Sequence, residues 1–277
     1  MVLRVRMVDR VQLFRGTAIL IRWTASRWIR ESVCGIASQR SVMSTLESSM
    51  AESSFRFFDR SDDYSVVERR LPHWQQNGTL TFITFRADDS LPKHVIEEWK
   101  SEQRRLLREH GIDPLVAGWK QQLLKFPKEI QNEIRNCLSE KWHNDLDACH
   151  GKCILRQPML AKIVAESLHK FDGNRYELTD FIIMPNHVHL LAAFAVAASI
   201  LKQCESWKHF TARQINRTFG RTGRLWQQDG FDHLVRSESQ FDWLRNYLAQ
   251  NPVKAGLQSG EFLHYNRELG ESDHSGA

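Results

Sequence analysis

The chain has 277 residues, 42% of them hydrophobic and 26% charged, which suits one or two globular domains and excludes a fibrous or membrane-spanning protein. Its longest apolar run, Leu190 to Ala198, falls far short of the roughly 20 residues a membrane helix needs. The formal net charge of +5 is carried by residues 1–42, where eight Arg face only Asp9 and Glu31, so any nucleic-acid surface on the near-neutral remainder must be a local patch.

In chain order, residues 1–50 read as a disordered or over-called N-terminal extension. Their Arg- and Ser-containing composition resembles a transit peptide, and Met43 and Met50 are alternative starts. A basic DNA-grasping arm is the other reading. Thr79 to Phe85 alternates threonine with apolar residues and predicts a strand. From Leu91-Pro92 to about residue 146 the chain turns charged and helical, with Val95, Ile96, Trp99, Leu106 and Leu107 in a first segment. Trp119 to Ser139 predicts a second. This 92–146 stretch reads as a helical insertion and a solvated scaffold, with a role in orienting DNA as the alternative.

Gln157-Pro158 opens an amphipathic helix to His169, with Leu160, Ile163, Val164 and Leu168 as its apolar stripe. Asp172-Gly173-Asn174 is a turn. Two strands follow, Tyr176 to Met184 and His187 to Phe194, around Pro185-Asn186. A helix is predicted from Ile200 to Phe219 and a strand region from Leu225 to Arg236, split near Asp229-Gly230. The last helix is capped by Ser237 or Ser239, stopped by Pro252 and terminated at Gly256. This order predicts an α+β fold, an antiparallel sheet with helices on one face plus the helical insertion. Residues 259–277 read as a tail. Five cysteines show no zinc-module spacing; Cys149-His150-Gly151-Lys152-Cys153 has no second half.

Two clusters carry chemistry. His187 and His189 are i and i+2 on a strand, so both imidazoles point to one face and can share a metal ion, while Val188 faces the other way. Two strand histidines that merely hydrogen-bond are the plain alternative. Tyr247 and Asn251 are four apart on a helix, which puts a phenol and an amide on one face; a core tyrosine and a helix-end asparagine are the alternative there. Lys202, Lys208, Arg213, Arg217, Arg221 and Arg224 face only Glu205 in their stretch. Lys208, Arg213, Arg217, Arg221 and Arg224, with Trp226 as a stacking aromatic, are candidate DNA contacts. Arg69, Arg70 and Trp74 are weaker ones. Asp232 and His233 read as residues that orient the site or cap a strand.

The ordered set of motifs resembles the tyrosine (Y1) transposases of the IS200/IS605 type, and within them the branch associated with repetitive extragenic palindromes. The matching pieces are Arg69-Arg70-Leu71-Pro72-His73-Trp74, then Thr79 to Arg86, then Met184-Pro185-Asn186-His187-Val188-His189. Ser206 to Ala212, Leu225-Trp226-Gln227-Gln228 and Phe231 to Arg236 follow. Last come Tyr247 and Asn251-Pro252-Val253-Lys254-Ala255-Gly256-Leu257. The likeness covers residues 66–258.

The resemblance implies a ferredoxin-like fold and a metal-dependent DNA transposase that cleaves and joins single-stranded DNA near hairpins. Tyr247 is then the nucleophile, forming a 5′-phosphotyrosine. His187, His189 and Asn251 hold a divalent ion, Mg²⁺ or Mn²⁺, that polarises the scissile phosphate. Single-stranded or hairpin DNA is the implied partner, with no membrane, a cytoplasmic setting, and a monomeric or homodimeric state. The alternative is a host-adapted palindrome-binding protein without transposition activity.

Overall fold

The computed structural model describes residues 55–69 and 72–267. Residues 1–54, which include the N-terminal extension, Arg70, Leu71 and the last ten residues lie outside the described residues.

A short antiparallel hairpin, β1 (Ser65–Glu68) and β2 (Pro72–Gln75), precedes the main body. The body is a five-stranded antiparallel sheet in the order β6-β3-β5-β4-β7. Its strands are β3 (Leu80–Arg86), β4 (Glu177–Ile183), β5 (His187–Ala193), β6 (Phe231–Leu234) and β7 (Leu263–Asn266). Without β7, the order is that of a ferredoxin-like sheet, as expected. β5 is central, paired with β3 from Leu80↔Ala193 to Arg86↔His187 and with β4 on its other side. Because β5 is covered on both faces, it is a continuous apolar-and-histidine run, buried at every position.

The strand alternation sorts side chains onto two faces. Val188, Leu190 and Ala192 join Ile83, Phe85, Leu178 and Phe181 beneath α4 (Pro158–His169) and α5 (Ile200–Thr218). Leu191 and Ala193 join Leu80, Phe82, Ile182 and Met184 beneath α6 (Glu238–Lys254), through Phe241, Leu244 and Leu248. The expected one-faced arrangement holds for α4 and α5; α6 covers the other face. Asp180, fully buried on β4, pins α6 to the sheet by accepting a 2.9 Å bond from Arg245 Nε.

Ser237 caps α6 by accepting from the Gln240 amide, and Gly256 follows with φ +64°, both as expected. Pro252 does not stop the helix; it sits in the last turn. Proline loses only one amide bond there, and the chain closes just beyond it through Leu257 N to the Pro252 carbonyl. The residues expected to be tail include β7, which pairs with β4. Phe55, upstream of residue 66, already packs in the α6-side core.

The insertion is three helices, α1 (Lys93–Glu109), α2 (Trp119–Leu124) and α3 (Lys128–Asp147). The single helical run expected over Trp119 to Ser139 is broken at Pro127, which takes the position before the first turn of α3. Trp99, Leu107, Ile112, Ile134 and Leu138 form its own small core.

Candidate active site

β5 delivers His187 and His189 to the sheet face that α6 covers, and both are fully buried. α6 brings Tyr247 and Asn251 to the same volume, and Asn251 is also fully buried. Tyr247 Oη lies 3.5 Å from His189 Nε2, so the histidine pair and the tyrosine are brought together as the spacing predicts. Phe82 and Trp243 stack on the His189 and Tyr247 rings respectively and restrict their rotation.

The sequence reading missed the third contributor. α3 of the insertion ends in the site and supplies His143 and Asp147, one turn apart on one face. Asp147, His187 and His189 place one ligand atom each within 4.8 Å of one another. His143 Nδ1 lies 3.2 Å from Tyr247 Oη. The available signal was the His-x-x-x-Asp pair at the end of a helix whose Leu138 and Leu146 are buried. The expectation of a merely solvated scaffold is therefore corrected for α3: its last turn is part of the cluster.

Asn186 explains how β5 and α3 are registered. Its Nδ2 donates to the carbonyls of Leu146 (3.4 Å) and His150 (3.1 Å), immediately around Asp147. That commits its Oδ1 as an acceptor, so His187 Nδ1 carries the hydrogen and donates to it at 2.7 Å. The lone pair of His187 is thereby left on Nε2, which faces Asp147 Oδ1 at 3.7 Å. On His189, Thr84 Oγ1 engages Nδ1 at 2.7 Å and leaves Nε2 directed at the site.

Burial pushes His187 down to about 3, with His143 and Arg86 adding to the effect, and it pushes His189 well below its ordinary value. Both are neutral imidazoles near pH 7, the form that ligates a metal. Burial raises Asp147 to about 7, against the opposing influence of Lys254 and Asn251, and holds the Tyr247 phenol well above 10. His187 Nε2, Asp147 Oδ1 and both amide atoms of Asn251 have no hydrogen-bond partner among the described residues. Several buried, unsatisfied polar atoms in one place are costly, at about 1–3 kcal/mol each. A divalent cation fits this donor set of two imidazole nitrogens, a carboxylate and an amide oxygen, and would satisfy it. Two further cations flank the site: the ammonium of Lys254 lies 5.8 Å from the Tyr247 ring centre, and Arg86 acts on His187 from the end of β3.

The candidate DNA contacts lie elsewhere. α5 packs on the sheet face opposite to Tyr247. Arg213 and Arg217 on α5 are exposed and, with Ser206, His209, Phe210 and Gln214, line a shallow groove of about 230 Å³. Lys208 is turned inward and donates to the carbonyl of Gln228 at 2.6 Å. Arg221 is partly exposed, and Arg224 is exposed but lies 3.8 Å from Asp88, an acid distant in sequence. Trp226 is not placed to stack on a base: it is buried against Phe85, and its Nε1 donates to Thr211 Oγ1 at 2.8 Å. Arg69 pairs with Glu205, and Trp74 stacks on Tyr64. Asp232 accepts from His73, and His233 meets Gln240.

Residues 152–251 match the family model described as "Transposase IS200 like". No curated protein matches the chain. A solved structure described as the REP-associated tyrosine transposase bound to a REP hairpin is similar at 12% identity and a TM-score of 0.30, over 67% of this chain and 73% of that one. The matched family segment holds β4, β5, α5 and nearly all of α6, with both strand histidines, Tyr247 and Asn251, and leaves His143 and Asp147 just upstream. Residues 152–251 of this chain are thus similar to the IS200-like transposase family.

Proposed function

We propose that this chain is a metal-dependent, single-tyrosine DNA transesterase that cleaves and rejoins single-stranded DNA beside hairpins. The observation that carries the reading is the meeting of Tyr247 Oη with the buried Asp147–His187–His189 cluster, inside or at the edge of the family segment.

Each residue then has a task. Tyr247 attacks a phosphodiester and becomes a 5′-phosphotyrosine, releasing a 3′-OH. The phosphodiester energy is kept in the new ester, so a second 3′-OH reverses the step without a nucleotide cofactor. His187, His189 and Asp147, with Asn251 beside them, hold a divalent ion, Mg²⁺ or Mn²⁺; the mixed nitrogen and oxygen donors favour Mn²⁺. When bound, the ion supplies Lewis-acid polarisation of the phosphate. Lys254 and Arg86 offset the phosphate charge where burial has removed water. The exposed arginines of α5 bind flanking DNA on the far side of the sheet, not the scissile strand itself. No helix among the described residues is long and apolar enough to cross a membrane, and the substrate proposed is cytoplasmic DNA.

A second reading, a palindrome-binding protein without transfer activity, is favoured by one observation: Tyr247 is only 8% exposed, so α3 and α6 enclose the nucleophile. The two readings separate on a denaturing gel of the full chain with end-labelled hairpin oligonucleotides from the flanks of its own gene. The transesterase gives a Mn²⁺-dependent, denaturant-resistant adduct that Tyr247→Phe abolishes. DNA that is shifted but never captured covalently overturns this reading in favour of the second.

A further inference from the structure

We propose that His143, brought in by the helical insertion, is a catalytic residue that orients the Tyr247 phenol and accepts its proton during attack. The inference rests on the transesterase reading and adds a component from outside the matched family segment.

A phenol cannot attack phosphorus while it keeps its hydrogen, and its ordinary pKa is near 10. Some acceptor must lie within hydrogen-bond reach of Oη. Two nitrogens do: His143 Nδ1 at 3.2 Å and His189 Nε2 at 3.5 Å. His189 Nε2 belongs to the cluster with Asp147 and His187, so its lone pair is committed there. His143 is nearer and is not among the three residues whose ligand atoms lie within 4.8 Å of one another. Its ring lies edge-on to the phenol at 79°, with centroids 5.9 Å apart, which places a nitrogen and not the ring face at the hydroxyl. Burial and the Lys254 charge hold its imidazole at about 4, neutral and able to accept near pH 7.

The step balances as follows. Oη forms a bond to phosphorus as its proton moves to His143 Nδ1. The P–O3′ bond breaks, its electron pair stays on O3′, and O3′ takes a proton from solvent to become the 3′-OH. The His143 imidazolium returns its proton to solvent.

The test is single-turnover adduct formation by the full chain with Mn²⁺ and the labelled hairpin oligonucleotides. Wild type is compared with Tyr247→Phe, His143→Ala and His143→Asn from pH 6 to pH 9. His143→Ala is expected to lower the rate by roughly 10²–10⁴-fold with the half-saturating DNA concentration unchanged within about threefold. His143→Asn keeps an acceptor near the Nδ1 position but cannot take a proton. It is expected to stay at least about tenfold below wild type, with a rate that climbs with hydroxide across the range. The melting temperature of each variant separates lost chemistry from lost fold, and the Asn variant carries the test if the Ala variant unfolds. Wild-type rates in a folded His143→Asn, or in a folded His143→Ala, overturn the proposal alone. An absent adduct in wild type overturns the transesterase reading, and this proposal with it.

Discussion

Asn186 links the two halves of the site, and Asn186→Ala tests the link. The side chain is fully buried and makes three bonds: to the carbonyls of Leu146 and His150, and from His187 Nδ1. The Leu146 bond is long at 3.4 Å and counts for little. Removing the amide leaves the His187 Nδ1–H buried without its acceptor, while the His150 carbonyl keeps the Cys153 thiol at 3.6 Å, so stability should fall by about 1–3 kcal/mol. The effect on the ion is separable. Freed of its acceptor, His187 can move its hydrogen to Nε2 or rotate, and loss of such an outer partner typically weakens metal binding about 10–100-fold. Calorimetric titration with Mn²⁺ reads the affinity, and thermal unfolding without metal reads the stability. Asn186→Asp divides the two roles, because it keeps an acceptor for His187 while presenting an oxygen to the α3 carbonyls. It should bind Mn²⁺ more tightly than the Ala variant yet dock α3 poorly. An Ala variant that loses stability but binds Mn²⁺ as wild type does would refute the claim that Asn186 sets the tautomer.

Three other outcomes are expected. His73 is buried; burial opposes its charge, but its hydrogen bonds to Asp229 and Asp232 prevail and raise it from 6.5 to about 9. A raised folded value means stability that is complete below about pH 6 and lost as pH climbs through 9, about 3 kcal/mol in all; urea unfolding from pH 6 to 10 should show the decline, and His73→Gln should flatten it. Arg245→Ala strands the buried Asp180 carboxylate and should cost about 3–5 kcal/mol in the same assay, with Asp180→Asn in the same chain recovering part of it. Arg213→Ala with Arg217→Ala should weaken hairpin DNA binding and make the plot of log affinity against log salt shallower by about 0.7 for each arginine that pairs with a phosphate, while leaving Mn²⁺ affinity unchanged; an unaltered salt slope would show that the α5 groove does not meet DNA.

The sheet was legible because its pattern is local. Period-two alternation in Thr79 to Phe85 and the turn at Pro185-Asn186 fix β3, β4 and β5 within a residue or two. The His187–His189 and Tyr247–Asn251 pairs were legible for the same reason, since each lies on a single element whose periodicity sets its direction. What sequence could not give was which elements meet. Asp147 lies forty residues from His187, and the tertiary packing of the insertion brings the two together. Trp226 looked like an exposed stacking residue because it follows a basic run, but the bridge of Ala87 to Trp226 draws it into the core. The charge imbalance around Arg224 was likewise a property of its own stretch, offset in space by Asp88. β7 was missed because four residues near the chain end carry too short a pattern to stand apart from a tail.

The division of the site between two independently packed pieces sets a constraint on how DNA can be engaged. The sheet and α6 supply His187, His189, Asn251 and Tyr247; the insertion, with its own core, supplies His143 and Asp147. The enclosure that keeps the histidines neutral also raises the phenol pKa, because desolvation penalises every charged form alike. Enclosure therefore favours neutral imidazoles and disfavours the bare phenolate. On the proposed function, DNA has to reach a Tyr247 that is only 8% exposed between α3 and α6. A shift of α3 would act on Asp147 and on the Leu146 carbonyl that Asn186 meets, since both lie in its last turn. On the proposed function, admission of DNA and completion of the metal site would then be coupled through one helix end. An ion that binds Asp147 and the histidines together draws α3 inward, by as much free energy as its affinity for the closed arrangement exceeds that for the open one.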